Sequence, residues 1–433
     1  MRVGLYVCLL SFTLLAEDES DPWEIQLAQA NNLARQGKFA EAETLYLDSV
    51  RQTEQFSADD LRRAKALNNL GALYHQTGRF GQAEELYLKA MPAYSALHGA
   101  ARASYASVLN NLAEVYRMRG RYRESEAMFR KAIAVREELS LRDKDMAAPL
   151  NNLAVLLNLQ GRAKDAEPLV RKALAIWISN GGPIHRNVAS AWNTLGEALR
   201  LLERYEESEA CHRRAIVIRA KVVPESHPEV ATGLSNLGSV LYLQGKYAGA
   251  EQLYLQAYDI RTKALGEKHP AVAFLLNNLG TTLQAEGRSI EAENHYRRAM
   301  EILEEVGAAG HTDYSKAVEN LASLFVKQGK VSGAEILYLR ALAVREKALG
   351  QKSPIMGDSY EMMAQFYWSV GRAGETERYM RKAIESKESA FGPQSEEVAQ
   401  SLIKLGNIYR LQHRDSQADR AHQKAGLIRS LIR

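Results

Sequence analysis

Apolar and small side chains recur along this chain in a block of 41 or 42 residues, and eight of the blocks turn on a glycine followed by a basic residue. Those glycines are Gly37, Gly78, Gly120, Gly161, Gly245, Gly287, Gly329 and Gly371; Glu203 and His413 hold the same place in two further blocks, making ten. Eight residues before the turn stand Leu70, Leu112, Leu153, Leu195, Leu237, Leu279, Leu321, Met363 and Leu405. The next position holds only Gly or Ala, and four before the turn stands Tyr74, Tyr116, Leu157, Leu241, Phe325, Tyr367 or Tyr409. Offsets of one, three and four share one helical face, so the pattern predicts an amphipathic first helix. After the turn, alanine recurs at plus five, an aromatic such as Tyr46, Tyr87, Phe129, Tyr254, Tyr296 or Tyr338 at plus nine, and alanine from Ala90 to Ala425 at plus twelve. Steps of four, three and seven predict a second amphipathic helix.

Large side chains thus face small ones, which lets the two helices approach closely while the aromatic fills the remaining gap. One such unit cannot bury its own face, whereas stacked units can. The runs that exceed a 34-residue unit, such as Ala341 to Leu349, prolong the second helix by about two turns. Proline then opens the next first helix at Pro228, Pro270 and Pro354, where a missing N–H costs little. Pro168 falls near the start of a second helix and is expected to be tolerated there, while Gly181–Pro183 and Gly307–Gly310 are expected to be the looser joints. The residue after the turn is Lys or Arg in all ten blocks, and Glu or Asp stands at plus six, from Glu43 to Asp419. A cation at a helix C-terminus and an anion at the next N-terminus suit the helix macrodipole, so these charges are read as structural.

The run L-N-N-L-G/A, then G-R/K-F/Y, then A-E-x-L-Y-x-x-A resembles the tetratricopeptide repeat, and Ala264 to Ala273 (ALGEKHPAVA) resembles the longer repeat of kinesin light chains. The resemblance runs from about Trp23 to the C-terminus. It implies an all-α, right-handed superhelical solenoid of about ten helix-turn-helix repeats that binds other proteins or peptides, with first helices lining the concave surface. The expected organisation is a signal peptide at 1–16, an atypical N-terminal repeat at 23–60, eight repeats over 61–395, and a C-terminal repeat with capping helix at 396–433.

Candidate binding residues are those of the first helix that packing leaves over. Ten and nine residues before the turn stand the pairs Asn68 and Asn69, Asn110 and Asn111, Asn151 and Asn152, and Asn277 and Asn278, with single members Asn193, Asn236 and Asn320. Asparagine is a mediocre helix former, so its recurrence at helical positions needs a reason. A side-chain amide donates and accepts at once, so a row of them suits the backbone of an extended peptide. The expected peptide-binding set is Asn69, Asn111, Asn152, Asn193, Asn236, Asn278 and Asn320; bonding between neighbouring repeats is the competing role, and is the one expected of the ten-before row. Asn31 and Asn32 lie six and five before Gly37, outside this register, and Met362 and Lys404 interrupt the row in the last two blocks. Variable positions six before the turn, such as Glu114 and Glu197, and three before, such as Arg117, Arg200 and Arg410, are candidates for setting specificity or are simply solvated.

Composition narrows the function further. The 56 basic and 52 acidic side chains leave a net charge of +4, far from the excess that nucleic acid or anionic lipid demands. No glycine-rich phosphate loop, paired Cys and His spacing or nucleophile elbow occurs, and His212 and His422 stand where other blocks place a packed aromatic. Neither an enzyme nor a cofactor is therefore expected. Arg2, the 13-residue apolar run Val3–Leu15, Ala16 and the acids at 17–19 have the layout of a short secretory signal and are too short for a spanning helix. Export to the periplasm or outside is expected, with cytoplasmic residence as the alternative. Cys8 lies in that segment and leaves Cys211 as the one thiol of the remainder. An adaptor holding an extended partner segment is the leading reading, against a structural scaffold or self-assembling array; oligomeric state stays open.

Overall fold

The computed structural model describes residues 21–139, 144–307, 312–349 and 354–432, so the expected signal at 1–16 and most of the joint at Gly307–Gly310 lie outside the described residues. Among the described residues the chain is helical with no strand, and it divides into two compact units at Arg204 and Tyr205. Unit 1 holds α1 (Pro22–Arg35), α2 (Phe39–Gln52), α3 (Leu61–Gln76), α4 (Phe80–Ser95), α5 (Ala103–Met118), α6 (Tyr122–Glu138), α7 (Ala147–Leu159), α8 (Ala163–Gly181) and α9 (Arg186–Leu201). Unit 2 holds α10 (Tyr205–Val222), α11 (Pro228–Leu243), α12 (Tyr247–Leu265), α13 (Pro270–Ala285), α14 (Ser289–Glu305), α15 (Thr312–Lys327), α16 (Val331–Leu349), α17 (Pro354–Ser369), α18 (Ala373–Phe391), α19 (Glu396–Leu411) and α20 (Asp415–Ile432). Within unit 1, α1 to α8 form four hairpins followed by α9; within unit 2, α10 precedes five hairpins, α11 to α20.

Each turn closes the same way. The glycine adopts a left-handed φ, as at Gly78 (+78°), and the backbone N–H of the basic residue after it reaches the carbonyl five residues back, Arg79 to Tyr74 at 2.8 Å. This is the Schellman closure, which satisfies carbonyls that the helix end would leave bare. Glu203 (φ +61°) and His413 (φ +57°) adopt the same conformation with a side chain, and the same backbone bond forms from Arg204 to Leu199 and from Arg414 to Tyr409.

The small and aromatic rows meet as the pattern requires. A methyl group added at Gly280 would lie 2.6 Å from the ring of Tyr296, which is fully buried. In three hairpins the tyrosine hydroxyl then bonds the residue six before the turn: Tyr46 to Asn31 at 2.6 Å, Tyr254 with Ser239 at 3.0 Å and Tyr296 to Thr281 at 3.3 Å. This accounts for the displaced Asn31, which belongs to the minus-six row as the partner of the aromatic. His422 keeps the geometry, its Nε2 lying 3.0 Å from Asn407 Oδ1, and His212 occupies the same place fully buried.

Pro168 sits inside α8, which runs on to Gly181. Pro228 and Pro270 open α11 and α13, each behind a histidine whose Nδ1 accepts a backbone N–H, from Glu229 at 3.2 Å and Ala271 at 3.1 Å.

Candidate functional site

First helices of successive hairpins touch one another within each unit, α1 with α3, α3 with α5, α5 with α7 and α7 with α9, then α11 with α13 and α13 with α15. The asparagine rows lie on this first-helix layer. In unit 1, Asn152 Nδ2 donates to Asn110 Oδ1 at 3.2 Å, and Asn69 Nδ2 donates to Asn31 Oδ1 at 3.2 Å. In unit 2, Asn320 Nδ2 donates to Asn277 Oδ1 at 2.9 Å. A nine-before amide thus ties itself to a ten-before amide one repeat earlier at two joints, so the two rows act together rather than separately. In the last hairpin Lys404 continues the link as an ion pair with Glu361, which also takes Lys387 at 2.9 Å.

These bonds do not use up the rows. Asn111, Asn236 and Asn278 are half-buried, and their side chains have no hydrogen-bond partner among the described residues. Asn151 is 7% exposed and its Oδ1 is buried without a partner; Asn68 Oδ1 is in the same condition while its Nδ2 donates to Asn69 Oδ1. Asn193 stands ten before Glu203, with Thr194 in the nine-before place. The variable residues Glu114 and Arg117 pair with each other at 2.9 Å, and Glu197 and Arg200 at 2.6 Å, so these charges are spent within their own helices.

Where Ala72 leaves the minus-six place of the second hairpin small, a cavity of about 410 Å³ opens, lined by Asn31, Ala34, Arg35, Tyr46, Asn69, Ala72, Leu73 and Gln76. It combines an apolar floor with amide and guanidinium donors, and it takes in Asn69 of the expected set.

At the other end of each first helix the turn charges assemble into a ladder. The basic residue after the turn reaches the plus-six glutamate of the preceding repeat: Arg79 to Glu43 at 2.7 Å, Arg162 to Glu126 at 2.9 Å, Arg204 to Glu167 at 2.8 Å, Lys246 to Glu209 at 3.1 Å, Arg288 to Glu251 at 2.9 Å, Arg372 to Glu335 at 2.9 Å and Arg414 to Glu377 at 2.7 Å. The same glutamates take an arginine one turn on, as Arg171 pairs with Glu167 at 2.7 Å and Arg381 with Glu377 at 2.8 Å. Arg79 and Arg414 also lie over the rings of Tyr74 and Tyr409 at 3.9 and 4.4 Å. Burial by itself would raise the Glu377 carboxyl, but hydrogen bonds from Arg414, Arg381 and Tyr409 overcome it and hold the group at about 2. The charges are structural, as expected, and they join repeats beyond answering the helix dipole.

A third row escaped the sequence reading. Sixteen residues after the turn stand Arg136, Arg219, Arg261, Arg345, Lys387 and Arg429, each four residues beyond the buried plus-twelve alanine and so on its face. Arg136, Arg219, Arg345 and Lys387 are 4–7% exposed. The recurrence of a cation one turn after that alanine was the available signal.

A family model described as the tetratricopeptide repeat matches residues 24–96, 62–138, 145–221, 229–305, 275–347 and 356–425. No curated protein matches the chain. Among solved structures, the apo form of the quorum sensor NprR from B. thuringiensis is 13% identical with a TM-score of 0.56, over 95% of this chain and 98% of that one. A Rap protein complexed with competence and sporulation factor is 13% identical with a TM-score of 0.54, over 92% of this chain and 100% of that one. Putative kinesin light chain repeats from Podosopora anserina are 20% identical with a TM-score of 0.41, over 48% of this chain and 99% of that one. At these identities the likeness to NprR and Rap is one of fold.

Proposed function

Because the chain belongs to the tetratricopeptide repeat family, we propose that it is a non-catalytic adaptor that holds an extended segment of a partner protein on its first-helix layer. The contact residues are Asn69, Asn111, Asn152, Asn193, Asn236, Asn278 and Asn320, with Asn111, Asn236 and Asn278 the central ones. One observation carries this reading: half-buried amides that recur at a fixed register yet bond to nothing among the described residues. The polar atoms of these three amides are open to solvent rather than buried, and a peptide backbone supplies both an acceptor and a donor for them in place of water. Asn152 spends one N–H on a neighbouring repeat and keeps a second N–H and its carbonyl for a ligand, whereas Asn69 also accepts from Asn68 and Asn320 donates to both Asn277 and Thr281. The Rap structure, which holds a bound factor on a similar fold, supports a binding role in kind only.

Replacing Asn111, Asn152, Asn236 and Asn278 together by Ala is expected to weaken partner capture while leaving helicity unchanged. Capture equal to that of the native chain would sink the assignment. Self-assembly is the alternative, favoured by the exposed Leu427, Leu431 and Ile432 on α20; light scattering that shows concentration-dependent oligomers would select it. Export rests on the layout of Met1–Ala16, and mature protein that retains those residues in the cytosol would refute it. No described helix is long and apolar enough to cross a membrane.

A further inference from the structure

The plus-sixteen cations differ in what neutralises them. Arg136 faces Asp145 at 3.8 Å, and Arg219 pairs with Glu229. Arg345 faces Glu319 at 3.5 Å, and Lys387 lies 2.9 Å from both Asp358 and Glu361. Arg429 in the last repeat pairs with Glu396, and each of the other acids comes from one of three places: ten or thirteen residues before the turn of the same repeat, or sixteen before the turn of the next. Around Arg261 those places hold Ser235, Thr232 and Ala271, none of them acidic. Its guanidinium instead donates to neutral oxygens, Nη1 to the Ala271 carbonyl at 3.1 Å and Nη2 to Thr232 Oγ1 at 3.3 Å. Burial pushes its pKa down, and no acidic neighbour acts against that. Arg261 is the member of the row without a carboxylate among the described residues.

Its position makes this more than a structural gap. Thr232 lies one helical turn before Asn236 on α11, and Ala271 lies two turns before Asn278 on α13, so each pair shares a face. The guanidinium therefore bridges α11 and α13 on the faces that carry two of the partnerless amides. Thr232 is exposed and Arg261 half-buried, which leaves the charge reachable from that side. A half-desolvated guanidinium with free donor capacity favours a planar carboxylate that it can grip through two N–H groups.

We propose that Arg261 receives an Asp or Glu side chain of the partner segment, so that the joint between α11 and α13 selects an acidic residue at one position of an otherwise sequence-tolerant ligand. This rests on the adaptor reading above. The missing acid that the other repeats supply from their own chain is here supplied by the ligand.

The test is selection from a random peptide library on the full chain, repeated on Arg261→Gln, followed by a binding cycle. The native chain should enrich Asp or Glu at one peptide position and the variant should not. A selected acidic peptide should lose at least about tenfold in affinity on Arg261→Gln, while its Glu→Gln version binds native and variant chains alike. Because the cycle compares two peptides on each chain, a packing defect in the variant cancels. Equal acidic enrichment on both chains, or an affinity loss independent of the peptide carboxylate, overturns the proposal. Selected peptides whose binding ignores Asn236→Ala and Asn278→Ala would overturn the adaptor reading instead, a separate readout.

Discussion

At the scale of single residues, this chain balances the small side chain of the first helix against the large one of the second. Gly280 faces Tyr296, whereas the same two rows hold Ala154 with Val170 and Ala364 with Met380. Gly280→Ala forces a methyl group onto a ring that is fully enclosed. Overpacking costs about 1–3 kcal/mol, against less than about 1 kcal/mol gained from replacing a helical glycine. A net loss of up to about 2 kcal/mol is therefore expected in urea unfolding, and Gly280→Ala with Tyr296→Met should cost less than the sum of the two single changes. The turns make an opposite prediction. Glu203 holds a left-handed φ that its side chain resists by roughly 1–2 kcal/mol, so Glu203→Gly should raise the unfolding midpoint. A lower midpoint would mean that the Glu203 side chain offsets its own strain.

At the scale of elements, the ion-pair ladder fastens the turn of each hairpin to the second helix of the preceding one. Glu377 has a folded pKa of about 2 against an ordinary 4.5, so its charge stabilises the folded chain above the ordinary value. That contribution fades as pH falls from 4.5 toward 2, because the unfolded chain takes up the proton first. Native protein should therefore lose its advantage over Glu377→Gln across that window, and curves that stay parallel to the bottom of it would contradict the assignment. Helix pairing and turn position were legible in the sequence because sterics repeat: only Gly or Ala fits under the aromatic, and only a left-handed residue closes the turn. The joining of repeats was less legible. The Arg and Glu rows stand next to different helix ends in sequence, and only stacking shows that Arg79 meets Glu43 rather than its own dipole partner. Asn31 looked displaced because it was aligned with the wrong row; it is the hydroxyl partner of Tyr46. The plus-sixteen cations were overlooked because a charged residue on a helix is ordinarily read as solvated, although its spacing from a buried alanine placed it inside. Of the candidate site, the register of the amides was readable, but which of them bond to a neighbour depends on that neighbour, as Asn152 with Asn110 and Asn111 with none show.

At the scale of the molecule, stability and recognition are both sums over repeats. Each hairpin buries its apolar face against the next, so substitutions in one repeat should act locally. The same additivity suits an extended ligand, to which each joint contributes a few hydrogen bonds. Where amides are replaced, as by Met362 and by the Lys404–Glu361 pair, the first-helix layer is closed by apolar packing or by charge. Unit 1 and unit 2 each carry partnerless amides, Asn111 in the one and Asn236 and Asn278 in the other, so each offers a contact surface of its own. The most direct test is hydrogen exchange by mass spectrometry on the full chain, with and without a peptide selected against it. Added protection concentrated on α5, α7, α11 and α13, and abolished by the fourfold Asn→Ala change, is the predicted result. Protection confined to the second helices or to α20 would contradict the claim that the first-helix asparagines hold the partner.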